Sequence, residues 1–219
     1  MTASSDILAD PGDEQAAVTR RYDRLAWLYD VYNAPMELGT RQKRRQLLRR
    51  ARGSVLEVGV GTGRNLEYYP DSVEITGVDV SSGMLARARR RARRLGLAAA
   101  LIEGDAHTLA FDDDQFDTTV GTCMLCSVAD PIAVVHEMER VTRPGGTILL
   151  LEHVRPRNRM LGWFSDVATP LTRRLFGFRA NRLTEETVAA AGIQITEIRR
   201  AGIWREIVGR PCADRPKEA

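Results

Sequence analysis

The motif E-x-G-x-G-x-G runs from Glu57 to Gly63, directly after a short apolar run. A glycine-rich turn between a strand and a helix lets a ligand approach the main chain and the helix N-terminus. Two phosphate-binding patterns use such a turn, and neither is present. The dinucleotide pattern G-x-G-x-x-G needs a glycine where Arg64 or Leu66 stands, and the phosphate loop needs a Lys-Ser or Lys-Thr pair after its last glycine.

Carboxylates stand where phosphate partners would be expected. Glu57, ahead of the glycines, would repel a pyrophosphate and suits a cation such as an α-amino group. Asp79 ends the second apolar run, where a carboxylate can accept hydrogen bonds from both hydroxyls of a ribose. Asp105 follows the third run and can accept from an exocyclic amine. Sites for an amine, a ribose and a base, without one for phosphate, indicate an amino acid joined to a nucleoside, such as S-adenosylmethionine.

Short β-forming runs alternate with helical stretches from residue 54 onward. The predicted strands are 54–60, 73–80, 99–106, 116–125, 147–154, 193–200 and 204–210. The predicted helices are 65–69, 82–96 and 131–146. For the second, Ser81 or Ser82 is the expected N-cap and Gly96 the end; the third is expected to begin at Pro131 and to end at Pro144-Gly145-Gly146.

This alternation predicts an α/β fold, a Rossmann-like three-layer sandwich around a mostly parallel seven-stranded sheet. Only residues 201–203 separate the last two strands, which is too short for a helical crossover, so a C-terminal antiparallel hairpin is expected. The expected organisation is a disordered tail (1–15), an N-terminal helical cap (16–52), a donor-binding domain (53–210) with a lid-like insert (155–180), and a second tail (211–219).

The segments "LEVGVGTG", "GVDVSSGML", "GDA" and "VTRPGG" resemble, in order and spacing, the class I S-adenosylmethionine-dependent methyltransferases. The resemblance covers about residues 20 to 210 and implies S-adenosylmethionine as cofactor. It implies that Glu57 and the backbone of the glycine turn hold the methionine part, and that Asp79 holds the ribose. Met84 would lie on the adenine face, although plain core packing also explains it, and Asp105 would read the adenine edge. The full implied cofactor set is Tyr22, Glu57, Gly59, Gly61, Gly63, Asp79, Val80, Met84, Asp105, Ala106, Thr122 and Cys123.

Three further segments, "MLCSVAD", "LLLEHVRP" and "NRLTEETV", look like those of methyltransferases for small lipids and thiols. These include soluble bacterial phosphatidylethanolamine N-methyltransferases and membrane-anchored animal thiol methyltransferases; quinone C-methyltransferases are similar at greater distance. The stretch "YDRLAWLYD" is similar to the helix that closes over the cofactor in this group. The resemblance implies a small acceptor such as a phospholipid amine or a thiol, and the aromatic segment from Trp163 to Phe178 indicates that the acceptor is partly apolar. A quinone ring carbon and a natural-product oxygen or nitrogen stay open.

The residues near the transferred methyl group are expected at the ends of the fourth and fifth strands and in the segment that closes over the site. Methyl transfer is a direct displacement, so a protein mainly aligns the reactants, and a base is needed only for a protonated nucleophile. His153 is the expected base because its ordinary pKa lies near neutrality, and a structural role for it is an equal alternative. Tyr29 or Tyr32 is the second candidate, with Cys123, Met124 and Ser127 nearby.

The cysteines, two of the histidines and the arginine clusters are interpreted as structural residues. Cys123 and Cys126 form a C-x-x-C at the fourth strand, where pocket lining is favoured over redox chemistry or zinc, and no metal is expected. His107 and His136 have no chemically reactive neighbours in the pattern and are expected to be surface or packing residues. The arginine clusters at 41–52 and 87–94 are interpreted as solvated helix faces. A nucleic-acid methyltransferase or binder that uses these arginines is the distant alternative, because "TCMLCSV" stands after the fourth strand where adenine methyltransferases have Asn or Asp followed by Pro-Pro-Tyr.

Composition sets the remaining limits. The chain has 219 residues, a net charge of +3 and three cysteines, which argues against a disulfide framework. It contains no apolar run of membrane-spanning length and does not begin with a secretory signal. We expect a cytoplasmic protein, with peripheral contact to membrane lipid as an open alternative suggested by the aromatic segment Trp163 to Phe178. The oligomeric state is left open.

Overall fold

A single seven-stranded sheet organises the computed structural model, which describes residues 19–24, 26–27, 29 and 34–212. The strands are β1 (Ser54–Val58), β2 (Glu74–Asp79), β3 (Ala99–Glu103), β4 (Phe116–Thr122), β5 (Thr142–His153), β6 (Gln194–Ala201) and β7 (Trp204–Arg210). Their order is β3-β2-β1-β4-β5-β7-β6. The pairs from β3 to β5 are parallel, and β7 runs antiparallel to both β5 and β6. This confirms the predicted fold class, including the C-terminal hairpin.

Helices cover both faces of the sheet. They are α1 (Ala34–Leu48), α2 (Ser82–Leu95), α3 (Pro131–Val141), α4 (Arg159–Phe176) and α5 (Thr184–Ala190), with one 3-10 turn at Leu66–Tyr68 where a helix was expected over 65–69. Ahead of α1, residues 19–24, 26, 27 and 29 are helical. The expected tail 1–15, residues 213–219 of the second tail, and Tyr32 lie outside the described residues. In the part of the chain that is described, no helix has the length and apolarity needed to cross a bilayer.

Local sequence explains how the helices begin and end. Ser81 caps α2, since its hydroxyl accepts from the Met84 N–H, and Gly96 ends it at φ 67°. Asp130 caps α3 through hydrogen bonds from two backbone N–H groups, with proline at the next position. The predicted end of α3 at residues 144–146 is wrong, because Thr142 already has extended dihedral angles and pairs with Phe116 as the first residue of β5.

The core consists of two layers, one on each side of the sheet. Neighbouring residues of β5 alternate between them: Ile148 and Leu150 pack in the layer with α3 and α5, while Leu149 and Leu151 pack in the layer with α1. These four side chains are at most 1% exposed. A strand buried on both faces reads as a continuous apolar run, which is why β5 appears in the sequence as "ILLL". Because β1, β2, β4 and β5 run parallel, the polar residues at their carboxyl ends lie at the same edge of the sheet.

Candidate active site

The turn after β1 brings bare backbone to this edge of the sheet. Gly59, Gly61 and Gly63 all adopt positive φ, at 70°, 55° and 75°, which other residues rarely adopt. The N–H groups of Gly59 and Val60 both donate to the Val78 carbonyl, at 2.8 and 3.0 Å, so the turn is tied to the end of β2. A Cβ at Gly59 would lie 2.9 Å from the Met124 Cβ, so the turn and the residues after β4 are too close for a side chain.

A cavity opens beside this turn. Its wall contains nine of the twelve residues expected to bind the cofactor: Tyr22, Gly59, Gly61, Asp79, Val80, Met84, Ala106, Thr122 and Cys123. Tyr29, expected near the reacting atoms, also lines it, together with Val78, Gly104, Met124, Ser127 and Val128. The sequence prediction therefore identified most of a spatial cluster whose members come from six separate segments.

Asp79 sits at the carboxyl end of β2 with both oxygens already hydrogen-bonded. One accepts from the Gly61 N–H at 2.8 Å and the other from the Ser81 N–H at 3.0 Å. Each carboxylate oxygen has two lone pairs, so acceptor capacity remains for hydroxyl groups in the cavity. Burial raises the pKa of Asp79, while these backbone donors partly oppose the effect. Binding to Asp79 by a ribose stays a prediction.

Three residues of the expected cofactor set are not part of the cavity wall. Gly63 packs against α2, since a Cβ there would lie 3.1 Å from the Ala88 Cα.

Asp105 is the second of these residues. Its carboxylate accepts a hydrogen bond from the His107 N–H at 2.9 Å and contacts the ring Nδ1 at 2.6 Å. The ring Nε2 in turn accepts from the Asp130 N–H at 3.2 Å. The loops after β3 and β4 therefore converge on the His107 ring, which gives this packing residue two polar partners.

Glu57 is the third residue of the expected cofactor set that does not line the cavity. It lies beneath the glycine turn with 1% of its surface exposed. Its two oxygens accept from the Asn65 amide at 2.7 Å and from the Tyr69 hydroxyl at 2.9 Å. Burial raises its pKa from 4.5 to about 7, although both hydrogen bonds and the Arg44 charge oppose the increase. Its contact with an amino group stays a prediction; the geometry shows a carboxylate that anchors the segment following the glycines.

Arg44 is a buried charged residue that the sequence analysis did not identify. It belongs to the cluster interpreted as solvated arginines, yet it is 8% exposed and donates to the Asn65 Oδ1 and the Thr122 Oγ1, both at 2.7 Å. The bland interpretation of residue 44 was therefore wrong. A signal was available, because Arg44 stands three and four residues before the fully buried Leu47 and Leu48 and so shares their helix face. A charge on the apolar face of a helix indicates an internal partner.

A second, smaller cavity adjoins the first. Four residues line both cavities: Tyr22, Tyr29, Cys123 and Ser127. The second is completed by Met36, Cys126, His153 and Phe178. At the junction the Tyr22 hydroxyl and the Ser127 Oγ are 2.6 Å apart, so the N-terminal helical segment is joined to the loop after β4.

His153 ends β5 and faces the second cavity. Its side chain is nearly buried, at 7% residue exposure, between the rings of Phe178 and Trp204, which lie at centroid distances of 5.9 and 6.1 Å. Burial lowers the pKa of His153, so the neutral imidazole is the form present at neutral pH. A neutral ring nitrogen can accept a proton from a group in the cavity.

The two cysteines of the C-x-x-C line the cavity walls as thiols. Cys123 adopts φ 53° and donates its N–H to the Leu151 carbonyl at 2.8 Å. Burial raises the pKa of Cys123 to about 12 and raises that of Cys126 as well. A thiol that stays protonated is a poor nucleophile and a poor metal ligand, which favours pocket lining over redox or zinc chemistry.

The residues present fit an adenosyl sulfonium donor. Gly59 and Gly61 present bare backbone, Asp79 offers spare acceptor capacity, and Val80 and Met84 give apolar surface in the same wall. Neither Lys nor Arg lines this cavity among the described residues, so its wall offers no cationic side chain to a phosphate group.

Comparisons with known proteins point the same way. Residues 56–150 match the family model described as "Methyltransferase domain". A curated relative, the phosphatidylethanolamine N-methyltransferase of Cereibacter sphaeroides, is 37% identical over 171 residues, covering 71% of this chain and 84% of that protein. The demethylmenaquinone methyltransferase of Renibacterium salmoninarum is 35% identical over 176 residues, covering 78% of this chain and 70% of that protein.

The fold is shared with solved structures at lower sequence identity. A SAM-dependent methyltransferase from Thermotoga maritima superposes with a TM-score of 0.66 at 20% identity, covering 89% of this chain and all of that one. At this identity the likeness concerns the fold alone.

Proposed function

The chain belongs to the class I S-adenosylmethionine-dependent methyltransferases, and we propose that it methylates the amine of a small amphipathic acceptor. The acceptor class we favour is a phospholipid with an ethanolamine headgroup. The observation that carries this proposal is the junction of the two cavities at Tyr22, Tyr29, Cys123 and Ser127, where a donor on one side would face an acceptor on the other.

The donor side uses the first cavity. S-adenosylmethionine supplies a methyl group on a positively charged sulfur, which is already activated as a leaving group. Asp79 would hold the ribose hydroxyls, Met84 and Val80 would pack on the adenine, and the loop of Asp105 and Ala106 would read its edge. The backbone of Gly59 and Gly61 would lie along the methionine part. These contacts orient the donor, and orientation supplies on the order of 7–11 kcal/mol of a displacement barrier.

The acceptor side uses the second cavity. Met36 and Phe178 offer apolar surface, which suits the non-polar part of an amphipathic molecule. An amine arrives largely protonated at neutral pH and must lose a proton before it can attack. His153, held neutral by burial, is the side chain of this cavity suited to accept that proton. The similarity to a relative described as a phosphatidylethanolamine N-methyltransferase supports the lipid amine.

A quinone ring carbon is the second candidate acceptor, because relatives described as demethylmenaquinone methyltransferases cover most of this chain. The same His153 would then remove a proton from a ring hydroxyl and so raise the electron density at the carbon. Both acceptors have a long apolar part and a small reactive head, which is the combination that the second cavity favours. A small thiol would need no base if it arrived as thiolate.

Labelled methyl donor distinguishes these acceptors. The protein is incubated with the donor and, separately, with dispersed phosphatidylethanolamine, an alkyl thiol, a phenol and a demethylated quinone, and the label in each acceptor is counted. We expect the ethanolamine lipid to be labelled fastest and His153→Gln to slow that reaction. His136→Gln serves as a matched control, since His136 lines neither cavity. Label in the thiol or the quinone alone would contradict the proposed acceptor, and label in none would contradict the proposed function.

A further inference from the structure

Helix α4 carries its apolar residues on the outside. Met160, Trp163, Phe164, Val167, Leu171 and Leu175 are each between 50% and 66% exposed. Their spacing of three and four residues places them on one side of the helix, and we call this set the apolar stripe. Six neighbouring large apolar side chains in water are unfavourable, because each would gain free energy by leaving it.

The polar side of α4 faces the protein instead. The Ser165 hydroxyl donates to the Ala180 carbonyl at 2.9 Å, and the Thr172 hydroxyl donates to the Phe178 carbonyl at 3.0 Å. Asp166 accepts from Arg155 at 2.7 Å. A surface helix of a globular protein normally has the opposite arrangement, with apolar residues inward. The hydrogen bonds fix α4 in this orientation, so the apolar stripe is held outward by contacts of the folded chain.

Positive charge flanks the apolar stripe. Arg157 and Arg159 stand at its N-terminal end and Arg174 at its C-terminal end, all exposed. None of these three arginines takes part in an ion pair within the described ranges. Asp166, the acidic residue within α4, is paired with Arg155. Exposed Trp and Phe between unpaired arginines are typical of helices that lie in the interface of an anionic bilayer.

The C-terminal end of α4 leads directly to the acceptor cavity. Gly177 packs beside Tyr22, since a Cβ there would lie 3.6 Å from the Tyr22 ring, and Phe178 lines the cavity with His153. A helix lying in a bilayer surface would therefore hold the mouth of this cavity next to the lipid.

We propose that α4 is a membrane-docking helix that inserts the apolar stripe into the interface of a bilayer containing anionic lipid. Charge complementarity selects this occupant over a second copy of the chain, because two copies meeting at the stripe would bring the same unpaired arginines together. The proposal goes beyond the proposed acceptor, since docking needs neither the methyl donor nor an ethanolamine headgroup.

Vesicle sedimentation of the full chain tests the proposal without any methyl donor. Phosphatidylcholine vesicles are compared with vesicles of phosphatidylcholine and phosphatidylglycerol, neither of which contains ethanolamine lipid. We expect binding to the anionic vesicles that weakens at high salt. The double variant Trp163→Ser/Phe164→Ser should lose at least about tenfold in partitioning. The triple variant Arg157→Gln/Arg159→Gln/Arg174→Gln should lose roughly 100-fold on anionic vesicles, at about fivefold for each arginine.

The matched control is Leu95→Ser/Ile102→Ser, which removes two side chains of 43% and 44% exposure near edge strand β3. It should bind vesicles like the wild type. The thermal unfolding midpoint of every variant shows whether it is folded, and light scattering without lipid gives its mass. Absence of vesicle binding by the wild type, or equal binding by the stripe variant, would overturn the proposal. So would a stripe variant whose mass falls from dimer to monomer, because the stripe would then be a contact between copies.

Discussion

One added methyl group at Gly61 tests whether the first cavity is where the donor binds. Gly61 has φ 55°, and a Cβ there would meet no atom nearer than the Gly59 carbonyl oxygen at 4.0 Å. Gly61 also lines the cavity, so the new methyl would take space beside the turn without touching protein. Gly61→Ala should therefore cost the fold only the strain of a left-handed alanine, about 1–2 kcal/mol.

The effect on donor binding should be larger than this strain explains. Forcing one extra methyl group into a filled site costs about 1–3 kcal/mol, which corresponds to roughly 5- to 150-fold in affinity. The control is Gly96→Ala at the end of α2, where φ is 67° and nothing lies within 4 Å of the added Cβ. It introduces the same backbone strain away from the cavity, so it should lower stability to a similar extent and leave donor affinity unchanged.

Calorimetric titration with S-adenosylhomocysteine, the demethylated donor, measures the affinity, and urea unfolding measures the stability of both variants. A Gly61→Ala protein that is folded and binds within about twofold of the wild type would refute the assignment of this cavity to the donor. Equal losses of donor affinity in Gly61→Ala and Gly96→Ala would also contradict the assignment, because backbone strain alone would then explain the weaker binding.

Three further predictions concern titratable groups. Asp79→Ala should weaken donor binding by about tenfold or more, since removing a hydrogen-bonded charged acceptor costs about 1.5–3 kcal/mol. Asp79→Asn should retain part of the affinity. Calorimetric titration that shows no loss of affinity for the alanine variant would contradict the ribose contact. Because burial raises the pKa of Glu57 from 4.5 to about 7, the folded protein should keep this proton at pH values where the unfolded chain has released it. The unfolding free energy should therefore fall, by roughly 3 kcal/mol from this group, as the pH rises through that window, and Glu57→Gln should flatten the profile measured by urea unfolding. His153→Gln should lower kcat for an amine acceptor about 100-fold or more. The wild-type rate should decline at acidic pH, as the pH falls below the lowered pKa of His153. A rate that changes neither with this substitution nor with acidic pH would show that His153 does not act as a base.

Some of the site could be predicted from the sequence because the determining signals are local. The glycine turn, the acid at the end of β2 and the cap at Ser81 each depend on a few neighbouring residues, and the structure has them where the pattern placed them. The end of α3 was missed because a competing signal was tertiary: Thr142 is extended since it pairs with Phe116 of a distant segment. Propensity within a window of the chain cannot report such pairing.

The sequence by itself determined the fold class and the family, because the period of apolar residues and the order of turn motifs are properties of the chain. Only the tertiary structure decided which way individual helix faces point. It turned the apolar stripe of α4 outward, although a helical pattern is the same in both orientations. It also made two cavities meet at four residues, since Tyr22 and Cys123 are about a hundred positions apart and become neighbours only when the N-terminal helical segment packs over the sheet edge.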